Sequence, residues 1–154
     1  MAFLTPDVIA HEKLLIIPNS TLYLFGILTS GMHMAWAKYV SGRLESRISY
    51  SPSVYNNFPF PYTSTDAQKK KVEDAAQTVL DTRAKYPGSS LADLYDPVTM
   101  PPDLVKAHTA LDKAVDLCYR SQPFANELGR IEFLFGLYEQ YTAPMFGVKK
   151  GEKK

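Results

Sequence analysis

With 154 residues, 45% hydrophobic and 21% charged, the chain has the length of one ordinary domain or two small lobes and not the composition of a disordered tail. The formal charge is +1, with four basic and three acidic residues up to Tyr62 and thirteen of each after it, so neither half has the positive field of an independent nucleic-acid binder. A lone cysteine, Cys118, excludes an internal disulfide and points to a cytoplasmic protein; no signal-peptide pattern is present, and the longest apolar-leaning stretch, 21–28, is too short to span a bilayer, so no membrane role is expected.

Residues 8–10 and 14–17 are short β-prone runs around a polar turn, the second ended by Pro18. Asn19-Ser20 offers an N-cap for a helix from about Thr21, apolar nearly all round (Leu22, Tyr23, Phe25, Leu28) and therefore buried. Gly31 breaks it, and a second helix is expected over 32–40. A strand over 43–50 follows, Pro52 interrupts, and 54–58 read as one more strand before Pro59 and Pro61. This mixed segment looks too strand-poor to stand alone and is expected to complete a sheet encoded upstream.

After Thr63 the pattern turns helical. Thr65 with Gln68 fits a capping box, and Val72, Ala75, Ala76, Val79 and Leu80 recur on one stripe. Pro87-Gly88 ends that helix, and residues 90–95 allow one short turn. Pro101-Pro102 suit the first turn of another helix, in which Leu104, His108, Leu111, Val115 and Cys118 make a packing seam. A last helix is expected over 124–141, carrying Leu128, Ile131, Phe135, Tyr138 and Tyr141 or their neighbours. The expected fold is α+β, mainly α: a small mixed α/β segment (1–62), a three-helix bundle-like lobe (63–146) and a basic disordered tail (147–154).

The most informative stretch is Gly42-Arg-Leu-Glu-Ser-Arg-Ile-Ser-Tyr50. Read as one strand, its period of two puts Arg43, Glu45, Arg47 and Ser49 on one face, and Leu44, Ser46, Ile48 and Tyr50 on a core-facing one. Arg pairs with guanine O6 and N7 while Glu accepts from cytosine N4, so Glu45 and Arg47 could together read a C·G pair. Solvated charges guarding a strand edge explain the same row. On residue chemistry alone that plainer account comes first. Elsewhere no metal site is expected, since His11, His33 and His108 are far apart and there is no cysteine pair. His108 and Cys118 read as core residues. No nucleophile elbow, phosphate-binding loop or dinucleotide glycine pattern occurs, and the chain by itself does not read as catalytic.

Leu24-Phe-Gly-Ile-Leu-Thr-Ser-Gly-Met-His-Met-Ala-Trp-Ala-Lys38, running through Gly42-Arg-Leu-Glu-Ser-Arg47 to Tyr55-Asn-Asn-Phe-Pro-Phe-Pro61, resembles the end of the target-recognition domain of MmeI-like (type IIL) single-chain restriction–modification enzymes. Leu91-Ala-Asp-Leu-Tyr-Asp-Pro-Val-Thr-Met-Pro-Pro102, Ala107-His-Thr-Ala-Leu-Asp-Lys-Ala-Val-Asp116 and Arg130-Ile-Glu-Phe-Leu-Phe-Gly-Leu-Tyr-Glu-Gln140 are similar to the helical C-terminal region of the same group. The Tyr-Asn-Asn-Phe-Pro piece alone occurs more broadly among DNA adenine methyltransferases.

The resemblance implies a parent polypeptide with a nuclease module, then an S-adenosylmethionine-dependent adenine-N6 methyltransferase, then the recognition domain and helical tail. The methyltransferase's Asn-Pro-Pro-Tyr tetrapeptide is absent from this sequence, as are the nuclease carboxylates and lysine. The chain is therefore expected to bind double-stranded DNA while upstream modules hold S-adenosylmethionine, and magnesium where a nuclease is present. The resemblance reverses the order of the two accounts of the polar row. It implies that Glu45, Arg47 and Ser49 read bases, with Lys38, Arg43, Tyr50 and Asn56 as backbone candidates. For Tyr50 and Tyr55 a core role with a bonded hydroxyl is the commoner one, and for Asn56 and Asn57 a turn role competes. His33 and Trp36 are expected to pack against the recognition sheet. Lys69, Lys70 and Lys71 are candidate phosphate contacts on a lobe read as a clamp or docking element. The competing function is a helical assembly module that packs domains or subunits without touching DNA.

Overall fold

Thr21, not Asn19 or Ser20, opens the first helix: its hydroxyl accepts from Leu24 N at 3.1 Å, while Asn19 takes a left-handed turn conformation, φ 55°. The computed structural model describes residues 1–12, 14–44 and 47–143, for Arg43, Leu44 and Arg47 the backbone alone. Seven helices and one hairpin follow in chain order among them. These are α1 (Leu22–Thr29), α2 (Gly31–Val40), β1 (Gly42–Leu44), β2 (Arg47–Ser49), α3 (Pro52–Asn56), α4 (Asp66–Ala84), α5 (Leu91–Leu94), α6 (Pro102–Tyr119) and α7 (Glu127–Thr142). The mainly helical α+β class expected from sequence is observed. The tail at 147–154 lies outside the described residues.

The packing divides the chain into two units, 1–34 with 61–123, and 35–60 with the chain from 124 onward. In the first unit α1 packs on α4 and α6. Its core is aliphatic: Ile27, Val72, Val79, Leu104, Leu111 and Val115 are fully buried. The approach is close because position 26 is glycine. A Cβ there would lie 2.7 Å from Val72 Cγ1 and 3.3 Å from both Ala76 Cβ and Leu111 Cδ1. The helix joining α4 and α6 is thus α1 rather than α7, which belongs to the other unit. α4 starts with the expected capping box, Thr65 and Gln68 satisfying each other's ends. A second box, Ser90 with Asp93, starts α5. The N-terminus of α2 is held by α6: Gly31 N donates to Asp112 Oδ1 at 2.7 Å, a carboxylate on the positive end of a helix.

Two expected strands near the N-terminus do not form. Residues 8–10 and 14–17 carry no strand pairing among the described residues, and Ile9 is 96% exposed and Ile16 65%. β-propensity measures the fit to a paired, half-buried surface, and these runs have no described partner. The expected strand at 54–58 is the helix α3. Pro52 at its first turn presets the backbone, and Ser51 stands at the N-cap position.

The second unit is built on aromatics. Trp36, 2% exposed, packs against Phe58, Phe135 and Tyr138 at ring-centroid distances of 6.2, 5.5 and 5.7 Å. Phe58 continues to Phe60 at 4.9 Å, edge-on, and Tyr141 Oη donates to Phe60 O at 3.1 Å. On α7 the fully sheltered positions are Ile131 and Leu134, while Leu128 and Phe135 are half exposed. Ile131 is buried as expected, while Leu134 takes the sheltered place beside Phe135.

Candidate nucleic-acid interface

The polar stretch read as one strand over 43–50 is a hairpin. β1 and β2 pair antiparallel, with Gly42 opposite Ser49, Arg43 opposite Ile48 and Leu44 opposite Arg47. That register leaves Glu45 and Ser46 as the connection, and both lie outside the described residues. Paired positions share a face, so position 43 goes with 48 and position 47 with 44 and 49. The single row containing both Arg43 and Arg47 is therefore corrected to two faces of a narrow ribbon. The core-facing side expected at Ile48 is also corrected, because Ile48 is 38% exposed. The sequence lacks the Asn-Gly or Asp-Gly pair that usually announces a hairpin, so its alternation reads straight through the reversal.

A two-stranded ribbon is marginal alone and depends on what holds its ends. Here both stems are tied. α2 runs into β1 through Ser41, and β2 leaves through Tyr50 into α3. Trp36 Nε1 on α2 donates to Val54 O on α3 at 3.1 Å, closing the segment between them with a buried bond. Tyr50 is half-buried, and burial, then its neighbour Tyr55, pushes its hydroxyl up to about 12, so it stays a neutral donor. Tyr55 packs edge-on to Phe60 at 5.5 Å.

The candidates fall together in one unit. Lys38 sits in the last turn of α2 with Nζ 2.6 Å from Glu127 Oε2 of α7. Arg43, Arg47 and Ser49 are in the ribbon, Ser49 exposed; Asn56 is exposed at the end of α3. Asn57, not Asn56, takes the turn role, capping the end of α3 and donating from Nδ2 to Ser53 O at 2.8 Å. Of the lysine run on α4, Lys69 pairs with Asp66 at 3.4 Å and Lys70 with Asp74 at 2.9 Å. Lys71 lines a cleft of about 370 Å³ with Gln68, Leu117 and Arg120.

Two of the three histidines, His33 and His108, are structural in their surroundings. His33 is 2% exposed, and burial depresses it to about 4. His108 Nε2 bonds Tyr95 Oη at 2.6 Å, and burial, then the Arg83 charge, holds it at about 4. Arg83 also donates to Tyr95 Oη at 2.8 Å and lies 5.5 Å over the Phe25 ring. This Arg83–Tyr95–His108 chain was missed in the sequence, because only the seam position of His108 has a periodic signal. Cys118 is buried, and burial pushes its thiol up, in keeping with a small apolar filler. Among the described residues no group of three or more His, Cys, Asp or Glu could hold a metal ion, and no helix is long and apolar enough to cross a membrane.

Comparison with known proteins adds the family. The model of the MmeI target recognition domain matches residues 1–62, and that of the MmeI C-terminal domain matches 64–146. This chain belongs to the MmeI family. It is 42% identical over 137 residues to DNA methyltransferase A of Bacillus subtilis (strain 168), covering 88% of this chain and 15% of that protein. A solved structure of the type IIL restriction–modification enzyme MmeI in complex with DNA superposes with a TM-score of 0.79 at 48% identity, covering 82% of this chain and 17% of that one. The chain thus spans less than a fifth of the length of either of these relatives. The family boundary at 62–64 does not follow the packing, since α1, on the recognition side of it, packs on α4 and α6.

Proposed function

We propose that this chain is the DNA-recognition and helical end of a restriction–modification polypeptide. The remainder of that polypeptide is a cytoplasmic, S-adenosylmethionine-dependent adenine-N6 DNA methyltransferase, with an upstream nuclease module where the enzyme also cleaves. S-adenosylmethionine has no home in these residues, because the sequence has neither the Asn-Pro-Pro-Tyr tetrapeptide nor a nucleotide-binding glycine pattern. The methyl-transfer chemistry is supplied from outside the chain.

The observation that carries the reading is the ribbon at 42–49, placed inside the stretch that matches a target recognition domain and tied at both stems through Trp36. The DNA major groove is wide enough to admit a two-stranded ribbon. In this reading the end of the ribbon enters the groove, Glu45 accepts from a cytosine amine, and Arg47 donates to the guanine of the same pair. Ser49 lies next along, and Lys38, Arg43, Tyr50 and Asn56 bear on the backbone. A bidentate contact discriminates by about 1–3 kcal/mol, enough for one base pair and not for a whole site. Further determinants therefore lie elsewhere in the parent enzyme.

The test is binding of the full-length polypeptide to duplexes that differ at one position. Arg47→Ala is expected to relax selectivity at a single base pair and leave the others unchanged. Equal loss at all positions would make Arg47 a backbone contact. A second reading, a protein-packing module, is favoured by the exposed apolar segment with Ile9, Leu14, Leu15 and Ile16. Salt separates the two, because phosphate contacts make DNA affinity fall steeply as salt rises. If deleting the ribbon leaves DNA affinity and its salt dependence unchanged, the packing module is the correct account.

A further inference from the structure

Beside the ribbon lies a second cleft, about 380 Å³, lined by Lys38, Tyr39, Ser41 and Glu127. Three of the four can donate hydrogen bonds. Lys38 Nζ is taken by Glu127 at 2.6 Å, yet both side chains are nearly half exposed. Tyr39 is exposed. Ser41 Oγ is shielded from solvent and has no hydrogen-bond partner among the described residues. A shielded hydroxyl left without a partner is uncommon and calls for an explanation.

We infer that Lys38, Tyr39 and Ser41 form a seat for one backbone phosphate of double-stranded DNA, and that Glu127 occupies Lys38 as a competitor until DNA displaces it. The inference rests on the DNA-recognition reading, in which Lys38 is already a backbone candidate, and adds two further donors and a regulator to it. A compact ammonium with two hydroxyls beside it suits the oxygens of a phosphate. The pair is displaceable, because a half-exposed ion pair is worth little in water. Release does not strand Glu127: it is the first residue of α7, where the positive helix end keeps a carboxylate stable. The position also has a use. Ser41 immediately precedes β1, so a phosphate held there fixes the register of the ribbon on the duplex, and phosphate contacts position while base contacts specify.

The experiment measures affinity of the full-length polypeptide for two duplexes, one carrying the sequence it methylates and one of arbitrary sequence, across a salt series. Glu127→Gln is expected to tighten binding several-fold on both. Lys38→Gln is expected to weaken both and to lower the salt slope by about 1. The double variant should behave as Lys38→Gln alone, and Ser41→Ala should weaken both duplexes by a smaller factor. Should Glu127→Gln lower the melting midpoint, Glu127→Asp, which keeps the charge on α7 but shortens its reach, must still tighten binding. Unchanged or weaker binding by the stably folded Glu127 variant overturns the inference, as does a gain that persists without Lys38. Neither result touches the base-pair readout at Arg47, which stands or falls on selectivity instead.

Discussion

In the unit of α1, α4 and α6, the interior is made of Val72, Val79, Leu104, Leu111 and Val115, branched side chains stacked along two long helices. In the unit that carries the ribbon, Val54, Ile131 and Leu134 are buried as well, but the centre is one indole with three rings around it, and its elements apart from α2 and α7 are short. Aliphatic seams along long helices distribute stability over many contacts. An aromatic hub concentrates it on few. The concentrated arrangement holds the stems of a small ribbon through one side chain, Trp36, bonded across to Val54 O.

The largest effect should fall on the hub. Trp36→Ala removes the ring packing and the bond to Val54 O together, and is expected to cost about 3–5 kcal/mol. Amide hydrogen exchange in the full-length polypeptide should show the loss in α2, α3 and α7. Trp36→Phe keeps most of the packing and loses the bond, for about 1 kcal/mol. If the two substitutions cost the same, the rings around Trp36 are not what holds the ribbon's stems. In the aliphatic unit, Gly26→Ala adds a methyl against Val72, whose stiff side chain cannot turn away within its helix. Overpacking of about 1–3 kcal/mol, eased by up to about 1 kcal/mol of helix propensity, leaves a net destabilisation. A rise in the thermal midpoint of this variant would contradict the close approach of α1.

A smaller, pH-dependent effect follows from His33 and His108. Both sit at about 4 in the folded chain against an ordinary 6.5, so between those values the unfolded chain binds more protons. Their contribution is present above 6.5 and is lost as pH falls toward 4. The thermal midpoint should drop over that window, and His108→Gln should flatten part of the drop. A midpoint that does not move between pH 7 and 5 would contradict the burial of both rings.

The same contrast governs how much was legible in the sequence. Long helices announce themselves: the Thr65–Gln68 box, the seam from Leu104 to Cys118 and the prolines at 101 and 102 all lie where the pattern puts them. Short elements do not. Val54 and Tyr55 have strand propensity, yet Pro52 and the bond from Trp36 make that segment a helix. The ribbon alternates like one strand because nothing in Glu45-Ser46 signals a reversal. Which long helices would pack together was not legible either, because α1 joins α4 and α6 from the far side of the family boundary and Gly26 is the only local hint. For the interface, residue chemistry offered Glu45 and Arg47, and family resemblance raised them above edge-strand charges. The partner of Lys38 lies 89 residues away and has no local signal.

The central claim is that the end of the ribbon reads one base pair, and a specificity exchange tests it most directly. The full-length polypeptide with Glu45→Lys and Arg47→Asp is expressed in a host, and the methylated adenines in the host DNA are mapped by sequencing. The account predicts that one position of the methylated site changes base preference while the rest of the site is retained. A site identical at every position, from an enzyme that still methylates, would contradict it.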